Sequence, residues 1–372
     1  MKGDMDEMTI KERMLAAYSG RPYDRLPVAA YSRYVLRGSA EREARENGLG
    51  IIDYLPAVSM LPPPWHMLDG YLSQIEGGDV NISYRWEKGR QIERRALSVG
   101  GRTLWSDLER DNAAAGSEHI IKHYISTPED YGTLAELLKK VVLADNGRLL
   151  AAHQRNLGDD GVVVARLDRS PYQKMLIELA GPETFFCDLA DDDGRVEEVL
   201  SLISQRELEA AERTFDSAAE VVWLPDNVTC DMTPPNKFKR YCLPHYQKLV
   251  EMSRATGKPL LVHFDGKIKR LKDAIAGSGI SAIDSFSLPD MGGDMTLREG
   301  REAFPGIGLL VNFPSNRSFG TPEQIADWTR EFAREAQASA PCMLQVSEDL
   351  PDSEWQKVMT VMSRTVREFS LQ

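Results

Sequence analysis

A histidine and an aspartate stand two residues apart at the end of a short apolar stretch, residues 260–265. The leucines and valine that precede them favour a β-strand, in which side chains alternate between the two faces. His263 and Asp265 therefore point to the same side. An imidazole beside a carboxylate can hold a metal ion, or the two can form a hydrogen-bonded pair that orients a loop. We predict that the chemistry of this chain centres on these two residues.

Most of the chain alternates between helical and strand-like segments, a pattern that predicts βα units around a parallel sheet. Two short apolar segments near the N-terminus bring the number of predicted strands to eight. The predicted strands span residues 26–31, 50–55, 162–167, 221–224, 260–264, 281–286, 307–313 and 343–346. Eight parallel strands close a barrel that side chains can fill. We expect an α/β fold, a (β/α)8 TIM barrel, formed as a single domain by residues 1–372.

Residues 80–125 interrupt this alternation. Residues 81–86 and 95–99 alternate between polar and apolar side chains, and the dipeptide Gly100-Gly101 separates the second stretch from residues 102–105. Alternating stretches joined by a glycine turn are typical of antiparallel hairpins. We predict a β-hairpin insertion in the N-terminal third of the barrel.

The strand ends are unusually polar. In a parallel barrel the carboxyl ends of all strands open onto one face, where the active site lies. The residues at or after these ends are Tyr31 and Arg33, Asp53, Asp168 and Arg169, Asp226 and Asn227, His263 and Asp265, Asp284, Asn312, and Glu348 with Asp349. Loop residues also meet water, so part of this polarity serves solvation or helix capping. From the set we predict substrate contacts by Tyr31, Asp168, Asn227, Asp284 and Asn312.

Composition excludes several classes of partner. The chain has 45 Lys and Arg against 57 Asp and Glu, a formal charge of −12, and no basic stretch, which argues against nucleic acid. The four cysteines lie far apart without a CxxC pair, as expected in a reducing compartment. Residues 1–8 are polar, and no run of about 18 apolar residues occurs. We expect a cytoplasmic protein that neither spans nor binds a membrane.

Four segments of the chain are similar to segments of a known protein superfamily. They are Met-Thr-Ile-Lys-Glu-Arg at 8–13 with Asp-Arg-Leu-Pro-Val at 24–28; Asp226 followed by Pro235, Phe238 and Pro244; Gly-Lys-Pro at 257–259 running into His-Phe-Asp-Gly at 263–266; and Gly-Thr-Pro-Glu at 320–323. Together they resemble the uroporphyrinogen decarboxylase superfamily, which also contains zinc-dependent methyltransferases acting on corrinoid proteins, thiols or folates. The resemblance implies a (β/α)8 barrel, a homodimer and a substrate-facing tyrosine at Tyr172.

The chain departs from both branches of this superfamily. Porphyrinogen-decarboxylating members resemble one another in an Arg-Gln-Ala-Gly-Arg segment, where residues 31–34 here read Tyr-Ser-Arg-Tyr. A polycarboxylate substrate needs a cationic cleft, so the acid-rich strand ends argue against a tetrapyrrole. The methyltransferases typically bind zinc through His-x-Cys and a second cysteine after the last strand. Asp265 and Glu348 occupy those two cysteine positions.

This replacement changes the metal chemistry. Thiolates are soft donors that favour zinc, whereas carboxylates are hard and widen the choice of divalent metal. We predict that His263, Asp265 and Glu348 hold Zn²⁺ or another divalent ion. Three protein ligands leave positions open for a substrate heteroatom, as a Lewis-acid catalyst requires.

Three functions are compatible with the sequence. The first is a metal-assisted methyltransferase acting on a small methyl donor, with a corrinoid protein, a thiol or a folate as the methyl partner. The second is a cofactor-independent decarboxylase, in which Asp226 and Arg33 position a carboxylated substrate and stabilise the developing charge. The third is a barrel that has lost catalysis and binds a ligand. Metal content separates the first function from the other two.

Overall fold

Eight parallel strands close into a barrel in the computed structural model, which describes residues 7–32, 38–59, 74–111, 117–191, 194–337, 341–348, 350–351 and 353–370. The strands are β1 (Val28–Tyr31), β2 (Leu49–Leu55), β3 (Gly161–Arg166), β4 (Val221–Leu224), β5 (Leu260–His263), β6 (Ala282–Phe286), β7 (Gly308–Asn312) and β8 (Cys342–Val346). They follow one another around the ring in sequence order, and β8 pairs with β1. The predicted (β/α)8 barrel is confirmed, including its two N-terminal strands.

The strands form because both of their faces are covered. Every residue of β1, β3, β4, β6, β7 and β8 is buried, as expected for a parallel sheet enclosed by helices. The helices between and after the strands are Ser39–Glu46, Pro128–Lys140, Gly147–Leu157, Pro182–Asp191, Arg195–Asp216, Leu243–Thr256, Lys272–Ala276, Leu297–Ala303, Pro322–Gln337 and Trp355–Ser370. In the described part of the chain, none of the helices has the length and apolar character needed to cross a bilayer.

A further helix, Ile10–Tyr18, closes the N-terminal end of the barrel. It begins at a capping box formed by Thr9 and Glu12. It packs so tightly that a Cβ atom at Gly50 would overlap Met14 Sδ, and one at Gly308 would overlap the carbonyl of Ala17. Among the described residues, this helix therefore covers the amino ends of the strands.

Two helices that follow the carboxyl ends of β3 and β4 each contain a π-helical turn. Met175–Leu179 follows the helical turn Pro171–Lys174, and Phe238–Cys242 joins Pro235–Lys237 to Leu243–Thr256. The second π turn lies just before Pro244. The sequence predicts a kink there, because proline lacks an N–H and its ring clashes with the carbonyl four residues earlier. The wider turn accommodates the proline without breaking the helix.

The insertion is an antiparallel sheet of four strands, Gly78–Glu87, Arg90–Val99, Arg102–Asp111 and Ser117–Lys122. The predicted hairpin is present, with Gly100 and Gly101 at positive φ in its turn (55° and 76°), and two further hairpins extend it. A two-residue turn with both φ angles positive matches the twist of the flanking strands. We refer to these four strands as the inserted sheet.

Candidate active site at the barrel mouth

Each barrel strand turns one polar or aromatic side chain inward near its carboxyl end. Register places Arg166 beside Trp223, His263 beside Asp284, and Asn312 beside Gln345, and paired residues of parallel strands face the same side. We call the eight inward residues the mouth ring. From β1 to β8 they are Tyr31, Tyr54, Arg166, Trp223, His263, Asp284, Asn312 and Gln345.

Asp284 is the hub of the mouth ring. Its Oδ2 accepts hydrogen bonds from Tyr31 Oη (2.7 Å), Trp223 Nε1 (2.8 Å) and His263 Nδ1 (2.8 Å). Its Oδ1 accepts from Gln345 Nε2 (2.8 Å). Burial alone would raise the pKa of Asp284, but the bonds and charge of His263, together with the other donors, hold that pKa below its ordinary value. Asp284 is therefore a buried carboxylate that orients side chains from four other strands.

His263 is fixed in one tautomer by this hub. Because Asp284 accepts from Nδ1, the proton lies on Nδ1 and the Nε2 lone pair is free to act as a ligand. Burial lowers the pKa of His263, but the hydrogen bond and charge of Asp284, with the charges of Glu348 and Asp265, raise it above its ordinary value overall. Metal-binding histidines commonly donate the proton of one ring nitrogen to a carboxylate in this way.

His263, Asp265 and Glu348 converge on one point. One potential ligand atom from each lies within 4.8 Å of the other two, and all three side chains are partly exposed. Two ligands bound to a single ion at about 2.1 Å stand roughly 3–4 Å apart, so small side-chain adjustments bring this set to bonding distance. The structure brings together the three residues predicted as metal ligands, and their donor atoms fit a divalent ion.

Each of the two carboxylates also has an orienting partner. Ser287 Oγ donates to Asp265 Oδ1 (2.8 Å), and Asn312 Nδ2 donates to Glu348 Oε1 (3.1 Å). His263 bonds to Asp284 and not to Asp265, so the alternative of a simple pair between residues 263 and 265 is wrong. The amide oxygens of Asn312 and Gln345 are buried without a hydrogen-bond partner among the described residues. They can accept hydrogen bonds from a ligand.

Asp226, predicted as catalytic, belongs to a different network. It is fully buried and accepts from Ser170 N (2.6 Å), Ser170 Oγ (2.5 Å) and Tyr246 Oη (2.5 Å). Burial raises its pKa, although these donors and Arg169 oppose the change. These bonds join the loop after β3 to the helix Leu243–Thr256. A catalytic role for Asp226 stays a prediction.

The other predicted substrate contacts divide into two groups. Tyr31, Asp284 and Asn312 lie in the mouth ring. Asp168 instead accepts from Lys174 Nζ (2.7 Å), Asn227 is exposed with a left-handed φ of 58°, and buried Tyr172 stacks on the Tyr241 ring at 5.3 Å. Within the described part of the chain, none of these contacts joins the three side chains to His263, Asp265 or Glu348. Arg33 and Asp349 lie outside the described residues.

Four members of the mouth ring are absent from the predicted site: Tyr54, Arg166, Trp223 and Gln345. In β3, β4 and β8 the predicted residues lie beyond the strand, and in β2 the predicted strand-end residue is Asp53, which faces the opposite side from Tyr54. Stepping back by two residues stays on the same face, but this rule requires the exact end of each strand. Arg166 and Gln345 in particular interrupt apolar strands, where a polar residue is informative.

Comparisons with known proteins agree with the barrel fold. A solved structure titled "methyltransferase from Methanosarcina mazei" is similar over 98% of this chain and 99% of its own, with a TM-score of 0.58 and 14% identity, which supports the fold. No curated protein matches the chain. A family model described as "Uroporphyrinogen decarboxylase (URO-D)" matches residues 174–368, more than half of the sequence and all of β4 to β8. The chain therefore belongs to the uroporphyrinogen decarboxylase family.

Proposed function

We propose that this chain is a methyltransferase assisted by a divalent metal ion bound to His263, Asp265 and Glu348. The observation that carries the proposal is the convergence of these three ligand atoms within 4.8 Å. The orienting bond on each of the three side chains supports it, since such bonds are what make a metal site specific.

The donor set narrows the choice of metal. Imidazole nitrogen and carboxylate oxygen are both among the ligands that zinc accepts. The carboxylates also admit harder ions such as Mn²⁺ or Fe²⁺. The two cysteine positions of the related methyltransferases hold Asp265 and Glu348 here, so we expect weaker discrimination in favour of zinc.

The mouth ring supplies the remaining functions of such a site. A bound divalent ion would act as a Lewis acid toward a thiol, hydroxyl or ether oxygen of the substrate. Asp284 keeps His263 Nε2 available, and the rings of Tyr31, Tyr54 and Trp223, with centroids 5.2 to 6.0 Å apart, form an apolar wall. A small-molecule methyl donor fits this lining. A corrinoid protein, thiol or folate as the second partner, and a homodimer, stay predictions drawn from the family resemblance.

Metal content tests the proposal. Protein purified without chelator and loaded with zinc should hold one zinc ion per chain by elemental analysis. His263→Ala and Glu348→Ala should each lose it. Asp231→Ala is the matched control, because Asp231 is an exposed acid paired with Lys267 and should leave the metal content unchanged. Wild-type protein without metal, or variants that retain it, would exclude the proposal.

Decarboxylation is the second candidate, favoured by membership in a family described by that activity. In that case Asp226 and Arg33 act on a carboxylated substrate without a metal. One measurement distinguishes the two candidate functions. Release of carbon dioxide from a carboxylated substrate that persists in EDTA and in His263→Ala would favour decarboxylation, whereas methyl transfer should stop under both conditions.

A further inference from the structure

Arg166 occupies an unusual position in the mouth ring. It is the last residue of β3, only 3% of its surface is exposed, and its register with Trp223 turns it into the barrel. Its Nε and Nη2 atoms are buried without a hydrogen-bond partner among the described residues. A buried guanidinium stays charged, and leaving it unpaired is costly.

The two carboxylates whose charges act on Arg166, those of Asp168 and Glu178, are already bonded to other cations. Asp168 accepts from Lys174 Nζ at 2.7 Å. Glu178 accepts from Lys174 Nζ at 3.0 Å and from Arg169 Nε at 2.9 Å. These acids attract Arg166 through space but do not pair with it, and burial holds the pKa of Arg166 below its ordinary value. Among the described residues, Lys174 and Arg169 therefore bond directly to carboxylates, whereas Arg166 does not.

The unpaired edge of Arg166 is shaped for a carboxylate. Nε and Nη2 together form the fork that binds a carboxylate through two parallel hydrogen bonds. The same edge does so twice elsewhere in this chain. Arg13 binds Asp24 at 2.6 and 2.8 Å, and Arg94 binds Asp107 at 2.7 Å through both atoms.

We propose that Arg166 binds the carboxylate of a small molecule in the barrel mouth. Strand β4 alone separates β3 from β5, so the carboxylate would lie within about 10 Å of His263. Trp223, whose ring centroid is 6.0 Å from that of His263, would flank the intervening part of the molecule. The substrate would then be a carboxylic acid whose methyl-bearing heteroatom reaches His263, Asp265 and Glu348. This last step rests on the proposed function, whereas carboxylate binding by Arg166 does not.

The test uses the full chain in EDTA, so that metal binding plays no part. Benzoate is the probe, benzamide is its neutral analogue, and inorganic phosphate is the competing anion. Saturating benzoate should raise the Tm of wild type by about 2 °C, while benzamide should not. Arg166→Met should lose this response, and Arg166→Lys should bind benzoate about tenfold more weakly because lysine lacks the fork.

Two further readouts separate ligand binding from a structural role. Without ligand, Arg166→Met should be at least as stable as wild type, because it removes a buried charge that lacks a partner. Lys174→Met is the matched control and should lower Tm, because it leaves Asp168 and Glu178 without their shared cation. Benzoate binding unchanged in Arg166→Met, no response in wild type, preference for phosphate, or an Arg166→Met protein clearly less stable than wild type would each overturn the proposal.

Discussion

Asp284 is the residue on which the geometry of the mouth depends, because it accepts hydrogen bonds from residues on four other strands. The bond from His263 Nδ1 sets the tautomer, and the others hold the carboxylate in place. The proposed ligand His263 is therefore oriented by a residue outside the proposed ligand set. Sequence spacing identified Asp284 as a strand-end acid but could not show that it, and not Asp265, pairs with His263.

Asp284→Asn should weaken zinc binding by about 10 to 100 fold, because an amide replaces the carboxylate that fixes the ligand tautomer. A chelator competition titration measures the affinity. Asp53→Asn is the matched control, since Asp53 bonds to His153 Nδ1 at the same kind of distance (2.7 Å) outside the metal cluster. Equal affinities in Asp284→Asn and wild type would show that the hub does not support the metal site.

The other members of the mouth ring show which inward residues the sequence can assign and which it cannot. His263 and Asp265 follow from two-residue spacing, and Glu348 follows from the family pattern. Arg166 and Trp223 require the exact end of each strand, because a shift of one residue moves every side chain to the opposite face. Sequence alone locates strand ends only approximately, so these inward residues could not be assigned.

At the scale of elements, an ion pair ties the first helix to the loop before β1. Arg13, whose side chain is 4% exposed, binds Asp24 through two hydrogen bonds of 2.6 and 2.8 Å. The backbone N–H groups of Met8 and Arg25 donate to the same carboxylate. This pair holds the helix Ile10–Tyr18 against the loop that leads into β1.

Asp24→Asn should lower the free energy of unfolding by about 2–3 kcal/mol at pH 7, because a buried arginine loses its partner. Burial opposes the change, but Arg13 and the backbone donors lower the pKa of Asp24 in the folded state. The stabilisation is therefore complete above the pKa of an unfolded aspartate and is lost as the pH falls through the folded pKa. Urea unfolding between pH 7 and pH 3 measures it. A difference between wild type and variant that does not shrink toward pH 3 would contradict this assignment.

The inserted sheet illustrates a second limit of prediction at this scale. Its hairpin between the second and third strands was predicted because Gly100-Gly101 and the alternation around it are local signals. Contacts that reach beyond this hairpin are not marked in the sequence. Asp107 on the third strand, for example, is buried and pairs with Arg85 from the first strand and Arg94 from the second. In the sequence, a charged residue does not indicate a buried strand position when its partners come from other strands.

For the whole molecule, the two halves of the barrel contribute different parts of the mouth. The proposed ligand set comes from β5 and the loops after β5 and β8, within the span matched by the family model. Tyr31, Tyr54 and Arg166 come from the first three strands. The alternation of helices and strands made the fold predictable, whereas the mouth ring combines side chains from all eight strands.

Zinc should stabilise the entire fold, because an ion that binds only the native state shifts the unfolding equilibrium. At a free concentration of 100 times its dissociation constant the gain is about 2.7 kcal/mol. Thermal unfolding with and without zinc should show a higher Tm for wild type and no change for His263→Ala. A zinc response that survives in His263→Ala would place the bound ion elsewhere.

The most direct test of the central claim is anomalous X-ray scattering at the zinc edge from crystals of the zinc-loaded protein. We predict one strong anomalous peak within about 2.2 Å of His263 Nε2 and of one oxygen each from Asp265 and Glu348. The absence of a peak between these three side chains in zinc-loaded crystals, or a peak bound by other residues alone, would contradict the account.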